Sequence, residues 1–262
     1  MEIAGWIMAL VIGLTLGLLG GGGSILTVPV LVYMLGIDPV VSTGYSLFIV
    51  GLSAMFGAYS YYTKSLIDIK TAIVFGIPAI IGVYVSRMFL VPAIPQELFT
   101  LGDFTLTKSI GIMVLFAVMM IAASVSMIKG RKDREVDPNR KFNYPLILVE
   151  GLVVGVLTGV VGAGGGFLII PALIVLSDLP MKMAVGTSLS IIAVKSLLGF
   201  IGEVQNHSPD WVFLLSFTAL AVAGIFIGTK LSNIISGSRL KPIFGWFVLI
   251  MGVYILGREL IF

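Results

Sequence analysis

Two clusters of glycine lie inside long apolar stretches of this sequence, and they limit what the chain can fold into. The first is Gly20–Gly23, followed by Pro29, and the second is Gly162–Gly166, followed by Pro171. Glycine destabilises a helix interior, and in a bilayer no water satisfies the backbone groups that a broken helix frees. Such a break is tolerated where the backbone is buried in protein or lines a polar cavity. Because the helix that resumes presents free N–H groups and a positive dipole end, each cluster predicts an anion site.

The composition identifies the class of protein that surrounds these clusters. Of the 262 residues, 58% are hydrophobic and 11% are charged, whereas soluble domains carry about 25% charged residues. The apolar stretches have the length of spanning helices and lack the short alternating strands of a barrel, so we expect an all-α polytopic membrane protein. The N-terminus is acidic and no cleavage site follows it, so Met1 is expected to be retained.

The sequence contains two copies of one unit. Shifting it against itself by 142 residues aligns 1–90 with 143–232 without a gap and produces 19 identities, eight of them between glycines. Chance matching would produce about one glycine pair, which indicates an internal duplication. We therefore interpret 1–128 as a first transmembrane repeat, 129–142 as a basic cytoplasmic linker and 143–262 as a second transmembrane repeat.

Each repeat has four apolar segments, and the first of them contains the glycines. The segments are 3–35, 40–63, 68–91 and 106–128, and then 146–176, 183–202, 210–231 and 240–260. A straight helix of some thirty residues would be about 45 Å long, against about 30 Å of hydrocarbon, so the first segment must break. If it kinks, each repeat has four spans and the repeats are parallel. If it folds back as a re-entrant hairpin, three full spans remain and the repeats are inverted.

Positive charge favours the inverted arrangement, because basic residues accumulate in cytoplasmic connections. The connection Lys129–Arg134, extended by Arg140 and Lys141, is the most basic in the chain. If it is cytoplasmic, the inverted arrangement places further loop cations on the same side, namely Lys64, Lys70, Lys230, Arg239 and Lys241. We therefore predict that Arg131 and Arg239 are cytoplasmic and that Pro95 and His207 are outside.

Lys195 is the charge that is hardest to place in a bilayer. It lies within Leu189–Gly202 with apolar neighbours on both sides, and a lysine at the bilayer centre costs about 3 kcal/mol. Its partner in the repeat alignment is Ser53. It either snorkels to an interface or faces inward, where it supplies a positive charge to an anion or a site for a proton. The many helical residues on either side favour the inward position.

Hydroxyl groups recur at matched positions in the two repeats. Ser46 and Ser188 fall at the start of the second segments, next to Tyr45 and Thr187. Such hydroxyls can donate to the oxygens of an anion or to a carbonyl of their own helix, and the sequence leaves both roles open. The weaker candidates on the same argument are Ser24, Thr27 and Thr43.

The other ionisable residues have simpler expected roles. Asp68 and Asp210 begin the third segments and are predicted to cap those helices. Arg87, near the end of a third segment, is expected to snorkel. Glu203 is either a proton partner for the buried lysine or, as its place near a segment end favours, a solvated residue. The lone histidine, His207, is expected to be solvated in a loop.

The pattern excludes the common enzyme classes. It has no carboxylate pair within a membrane segment, no metal-ligand constellation and no Ser–His pair that the core could hold. The chain has no cysteine, which removes thiolate chemistry. The glycine clusters lack a βαβ context and a Gly-Lys-Ser/Thr sequence, so they are not nucleotide-binding motifs. We expect no enzyme activity, no cofactor and no nucleic-acid partner.

The doubled motif resembles that of the TauE/SafE sulfite exporter family of membrane transporters. In each copy a glycine cluster is followed by Pro and Leu and then by Gly-Tyr/Thr-Ser-Leu, at Gly20–Leu47 and Gly162–Leu189, and the second copy is the closer match. The resemblance covers nearly the whole chain. It implies secondary transport of sulfite, sulfonates or other sulfur-containing anions, with a pocket built from both clusters and the serines that follow them.

The expected substrate-binding residues combine this resemblance with the burial argument for the lysine. They are Gly20, Gly21, Gly22, Gly23, Ser24, Tyr45, Ser46, Gly162, Ala163, Gly164, Gly165, Gly166, Thr187, Ser188 and Lys195. We expect a multi-pass protein of the cell (inner) membrane that moves a small anion through the bilayer by alternating access. The alternatives are an anion channel with the same binding field and a membrane subunit that does not transport.

Overall fold

The computed structural model describes residues 2–101, 104–129, 144–162, 164–175, 179–204, 209–235 and 237–261. The elements in chain order are α1 (Glu2–Leu19), α2 (Gly22–Pro29), α3 (Pro39–Tyr62), α4 (Ile69–Val85), α5 (Val91–Ala93), β1 (Glu97–Leu101), β2 (Phe104–Thr107), α6 (Lys108–Lys129), α7 (Tyr144–Val161), α8 (Gly166–Val175), α9 (Met181–Val204), α10 (Trp211–Ile234) and α11 (Gly237–Ile261). The predicted apolar segments match these helices to within about three residues at each end. Ala163, His207 and the predicted linker beyond Lys129 lie outside the described residues.

Two π-helical segments extend regular helices. Val30–Met34 continues α2, and Ser86–Leu90 joins α4 to α5. The first follows Pro29 and the second precedes Pro92. Because proline has no amide proton to donate, the helical hydrogen-bond ladder changes register near it.

Aspartates fix the starts of α4 and α10. Asp68 accepts a hydrogen bond from Thr71 N at 3.1 Å, and Asp210 accepts one from Phe213 N at 3.0 Å. These bonds satisfy amides that a helix start leaves without an intrahelical acceptor. The prediction that both residues are N-caps is confirmed.

The first apolar segment folds back on itself at its glycines. Gly20 has a φ of +69°, and its N–H donates to Leu16 O at 2.7 Å, which ends α1. The chain then returns along α1, so that Gly23 abuts Leu16 and, further on, Leu35 packs against Gly5. This segment is therefore a helical hairpin and not a kinked span.

The second glycine segment also reverses the chain. Gly162, at the end of α7, has a φ of +71°. The start of α7 lies beside α4, where the Lys70 ammonium is 4.9 Å from the ring centroid of Tyr144. α9 starts at the same end, because Thr187 Oγ1 accepts a hydrogen bond from Asp68 N at 2.9 Å. α8 therefore brings the chain back to the end at which α7 begins.

Glycines allow helices that are distant in sequence to pack closely. Gly13 and Gly17 of α1 abut the backbone of α10, and Gly224 and Gly228 of α10 abut the backbone of α1. In the same manner, α7 packs against α4, with Gly155 touching the backbone of Ala79. Close backbone approach of this kind stabilises helix pairs in lipid. The other long pairs are α3 with α9 and α6 with α11.

The bundle has two distinct ends. At the linker end α6 stops and α7 begins, and at the β-hairpin end β1 pairs antiparallel with β2. The sequence prediction was all-α and missed this hairpin. Apart from Glu97, the strands consist of phenylalanine, threonine and leucine, and the aromatic and β-branched residues among them favour extended structure. A pattern this short does not reveal two-residue periodicity among long apolar helices.

The sides of the bundle are apolar. Within the described residues, seven helices are long and apolar enough to cross a membrane. On α4 every fourth residue, from Ile69 through Ile73 and Ile77 to Ile81, is more than half exposed. A continuous exposed stripe of isoleucine suits lipid and not water. The protein is a helical multi-pass membrane protein, as its composition indicates.

Candidate functional site

The two glycine turns meet inside the bundle. Gly21 and Gly166 touch through their backbones, so a Cβ atom on either residue would collide with the other. Beside them Gly164, with a φ of +62°, lies against Val50 and Ser24. Because α2 and α8 begin directly after these turns, two helix N-termini converge at one point. Their partial positive charges and first amide groups favour an anion there.

Matched stripes of side chains on α3 and α9 face the turns. The stripes are Ser46, Val50 and Ser53 on α3 and Ser188, Ile192 and Lys195 on α9. Residues spaced by four and then three share one face of a helix. Contacts establish the direction of that face: Val50 lies against Gly164, and Ser188 Oγ donates to Gly20 O at 3.2 Å.

Lys195 is buried next to the second turn. Its side chain is 1% exposed, and a Cβ atom added at Gly165 would lie 2.6 Å from its Nζ. Nζ donates to Thr158 Oγ1 at 2.7 Å, and Thr158 donates in turn to Gly155 O at 3.3 Å. In the part of the chain that the structure describes, no carboxylate lies within 4.0 Å of this ammonium group. Lys195 therefore faces inward and does not snorkel.

Three buried serine hydroxyls near this region have no hydrogen-bond partner among the described residues. They are Ser46 Oγ, Ser53 Oγ and Ser196 Oγ. Ser24 and Thr27 differ, because each donates to a carbonyl of its own hairpin, Gly21 O at 2.7 Å and Gly23 O at 2.8 Å. A buried hydroxyl without a partner costs free energy unless a ligand or water satisfies it. Ser46 and Ser53, which lie on the α3 stripe, can donate to the oxygens of a bound anion, whereas Ser196 lies against Gly51 of α3.

Tyr45 and Thr187 lie one residue from the stripes and point away from the turns. Tyr45 OH accepts a hydrogen bond from Asp210 N at 2.9 Å, at the β-hairpin end. Thr187 Oγ1 accepts the equivalent bond from Asp68 N at the linker end. The structure thus brings together Gly20–Ser24, Gly162, Gly164–Gly166, Ser46, Ser188 and Lys195, whereas Tyr45 and Thr187 hold the ends of other helices.

Arg87 is buried, contrary to the expectation that it snorkels. Its side chain is 0% exposed, and Nη1 donates to Glu203 Oε2 at 3.1 Å and to Thr43 Oγ1 at 3.0 Å. The guanidinium group also abuts Gly162, where α7 ends. Arg87 lies in the second π-helical segment, a rare distortion that recurs at functional sites. Snorkelling fails because the neighbouring helices enclose the side chain on all sides.

Glu203 is also buried, and its interpretation as a solvated residue is wrong. It is 5% exposed and forms an ion pair with Arg87, so in this conformation its partner is the arginine and not Lys195. It lines a narrow crevice with Val41, Tyr45, Phe200, Val204 and Pro209. On the far side of Tyr45, an open cavity of about 440 Å³ at the β-hairpin end is lined by Trp6, Leu35, Ile37, Tyr45, Asp210 and Phe213.

Sequence reasoning missed Thr158, Ser196 and the importance of Arg87. The repeat alignment contained a signal, because it matches Arg87 with Thr229 and Glu203 with Tyr61. Opposite charges that appear in one repeat only, at positions that are neutral in the other, indicate a pair under a specific constraint. No group of three or more potential metal ligands occurs among the described residues.

Comparisons with known proteins agree with the doubled motif. The model of the family "Sulfite exporter TauE/SafE" matches residues 6–255. A probable membrane transporter protein of Xylella fastidiosa is 28% identical, covering 95% of this chain and 92% of the relative. YunE of Bacillus subtilis is 27% identical, covering 88% and 86%, and MJ0441 of Methanocaldococcus jannaschii is 26% identical, covering 95% and 93%. Both of these are also described as probable membrane transporter proteins.

No solved structure matches the chain. The family model nevertheless spans nearly the whole sequence, including both glycine turns, both stripes and the Arg87–Glu203 pair. The chain belongs to the TauE/SafE sulfite exporter family of membrane transporters.

Proposed function

We propose that this protein is a secondary transporter of a small sulfur-containing anion, sulfite or a short organosulfonate, across the cell membrane. The anion binds where the N-termini of α2 and α8 converge, between the stripes of α3 and α9. Lys195 supplies the full positive charge, and the serine hydroxyls and turn amides supply hydrogen bonds. Ala163 is included by its place in the sequence between Gly162 and Gly164, whereas Tyr45 and Thr187 are left out because they hold the ends of other helices.

The observation that carries this proposal is the environment of Lys195. A buried ammonium group is unfavourable unless an opposite charge compensates it. Lys195 lies about 4 Å from the middle of α9 at 1.5 Å per residue, and its hydrogen-bond partner is a neutral threonine. A transported anion would complete this site each time it binds, and its departure would leave the lysine uncompensated. A bound anion would therefore compensate the charge of Lys195, and its release would restore an unfavourable buried charge, as expected for a site that binds and releases an anion in each cycle.

The structure supports an inverted two-fold arrangement of two repeats. Contacts recur in reciprocal pairs under the 142-residue shift. Gly20 meets Val185 while Gly162 meets Thr43, and the Tyr45–Asp210 hydrogen bond matches the Thr187–Asp68 bond. The first helix of each glycine hairpin also packs on the third apolar segment of the other repeat, since α1 pairs with α10 and α7 with α4. An axis in the membrane plane relates such halves in many transporters.

Charge supports a cytoplasmic linker end. The described loop and end residues there include Lys64, Lys70, Lys129, Lys182 and Lys230. The β-hairpin end carries more acidic residues, Asp38, Glu97, Asp210 and Glu259, than exposed basic ones, since Arg258 is exposed there but Lys108 is buried. Under the positive-inside rule the linker end faces the cytoplasm and the β-hairpin end faces outward.

The backbone contact between the turns favours a transporter over a channel. Gly21 and Gly166 touch, so the path is closed at its centre in this conformation. Passage requires the two hairpins to separate, which suits alternating access by rigid movement of helix groups. A channel would instead give currents that reverse at the Nernst potential of the anion, without saturable counterflow.

Binding to purified protein tests the proposal. Thermal unfolding is measured with sulfite, sulfate, thiosulfate, taurine and sulfoacetate, because a ligand that binds the folded state raises the melting temperature. We expect stabilisation by at least one sulfur anion that Lys195→Met abolishes and Lys195→Arg retains. Lys230→Met, which removes an exposed lysine of α10, is the matched control and should bind as the wild type does.

Transport completes the test. Proteoliposomes that hold the wild-type protein should exchange the stabilising anion across the membrane, whereas Lys195→Met should not. If Lys195→Arg still binds the anion but no longer transports it, the lysine exchanges a proton during the cycle, because arginine does not titrate in the usable pH range. Wild-type binding and wild-type exchange by Lys195→Met would refute the assigned site.

A further inference from the structure

We propose that Arg87 is a second anion-binding group, which Glu203 occupies in this conformation and which the transported anion occupies when the β-hairpin end opens. The proposal rests on the transport function proposed above and adds a second binding site, nearer the β-hairpin end, to the same transport path. Its ligand is an oxyanion with at least two oxygens available to a guanidinium fork, such as sulfite or a sulfonate.

The position of Arg87 places it between the outside cavity and Lys195. The cavity at the β-hairpin end and the crevice beside Glu203 share Tyr45 as a wall. Behind the crevice, Glu203 contacts Arg87, and Arg87 abuts Gly162 at the second turn. Three residues further on, Gly165 lies beside Lys195. An anion that enters from the cavity would meet the arginine before it meets the lysine.

The two members of the ion pair are not equally confined. The Arg87 side chain is 0% exposed, and that of Glu203 is 7% exposed and lines the crevice. When the pair separates, the carboxylate can move toward the crevice and water, but the guanidinium group stays enclosed by Thr43 and the second turn. Because an uncompensated buried charge is unfavourable, separation requires a replacement anion at Arg87.

The opposite end of the path is built without charge. The residues matched to Glu203 and Arg87 are Tyr61 and Thr229. Tyr61 OH donates to Ser232 Oγ at 2.8 Å and lies 3.2 Å from Gly17 O. Among the described residues the closure at the linker end is therefore a neutral hydrogen bond, and the closure at the β-hairpin end is an ion pair. Because the closure at the β-hairpin end is an ion pair, we expect that end to open only when an anion replaces Glu203 at Arg87.

The substitution Glu203→Gln tests the exchange by the sign of its effect. It removes the charge that competes for Arg87, so sulfite should bind more tightly, by about tenfold for the loss of one charge-assisted competitor. If the ion pair has only a structural role, Glu203→Gln should lower the stability of the protein without raising its affinity for sulfite. Glu259→Gln is the matched control, because Glu259 lies at the same end but bonds to Tyr33.

Double variants separate this proposal from the site at Lys195. Glu203→Gln combined with Lys195→Met should still bind sulfite through Arg87, whereas Arg87→Met combined with Lys195→Met should not. Binding lost in the first double variant, with Lys195→Met alone inactive, would overturn the Arg87 site and leave the lysine site intact. Wild-type binding in Lys195→Met alone would instead refute the proposed function.

The opening of the β-hairpin end can also be measured without an anion-binding assay, by the rate at which a buried thiol is labelled. The chain has no cysteine, so Ser46→Cys places a single thiol one turn deeper than Thr43 on α3. A small impermeant thiol reagent added at the β-hairpin end should label it at least about tenfold faster when Glu203→Gln is also present, because one partner of a buried pair is lost. Arg87→Met with Glu203→Met replaces the pair by apolar groups and should fold, yet exchange no anion. Equal labelling rates, or wild-type exchange by this apolar variant, would overturn the proposal.

Discussion

Gly21 and Gly166 touch through their backbones although they belong to different hairpins. The sequence predicts an anion site at each of the two glycine clusters. In this conformation Gly21 and Gly166 pack against each other. The positive charge and the hydrogen-bond donors for an anion come from the groups around them. Glycine is therefore needed at both positions because a Cβ atom on either residue would prevent the two turns from closing against each other.

Alanine at either contact glycine should destabilise the closed centre. We expect Gly21→Ala or Gly166→Ala to lower stability by about 1–3 kcal/mol, the usual cost of overpacking, and to slow anion exchange. Differential scanning fluorimetry and proteoliposome flux measure the two effects. Gly257→Ala is the control, because nothing lies within 4 Å of a Cβ atom there. Equal melting temperatures in all three variants would contradict the contact.

Gly20 and Gly36 separate the effect of backbone conformation from that of packing. Both have a φ of +69°, but a Cβ atom at Gly20 would lie 2.7 Å from Val185 and one at Gly36 would meet nothing. Gly36→Ala should cost about 1 kcal/mol for the left-handed conformation alone. Gly20→Ala should cost clearly more in thermal unfolding. Identical losses would mean that Val185 adapts and that the first turn is not tightly packed.

The Lys195–Thr158 hydrogen bond should contribute measurably to stability. Thr158→Val keeps the shape but leaves the ammonium group without its acceptor, so we expect a loss of about 1–3 kcal/mol that Thr158→Ser largely avoids. A double-mutant cycle with Lys195→Met should show coupling of at least about 0.5 kcal/mol, since the two side chains touch. Strict additivity in thermal unfolding would mean that the bond has no energetic effect.

Single cysteines should establish the orientation of the chain. We expect Thr63→Cys, at the linker end, to react with an impermeant thiol reagent only in inverted vesicles, and Pro95→Cys, at the β-hairpin end, only in intact cells. Both positions are exposed, so accessibility is not limited by burial. The reverse pattern would invert the orientation, and labelling of both from one side would refute two opposed ends.

The helices and the turns could be predicted from sequence because their causes are local. Apolar length determines a spanning helix, and positive φ at Gly20 and Gly162 follows from clusters that a helix cannot absorb. The burial of Lys195 was predictable for the same reason, since too many helical residues separate it from either interface.

The local sequence did not predict the ion pair, and the repeat alignment marks its two positions without showing that they meet. Arg87 and Glu203 lie near the ends of their segments, where a charge alone suggests solvation. Only the packing of α4 against α9 brings them together and shuts them off from water. Thr158 was missed similarly, since it looks like any helical threonine until the fold brings its hydroxyl within 2.7 Å of Lys195 Nζ.

The pairing of α1 with α10 imposes an order on biosynthesis. Gly13 and Gly17 can complete their contacts only after Trp211–Ile234 has left the ribosome and entered the bilayer. At elongation rates of about 5–20 residues per second, the first hairpin waits roughly 10 to 40 s before its glycine seam, formed by Gly13 and Gly17, can meet α10. The nascent chain is thus held in an unfinished state until its last quarter is inserted, and a truncated product that lacks α10 would expose this seam to membrane quality control.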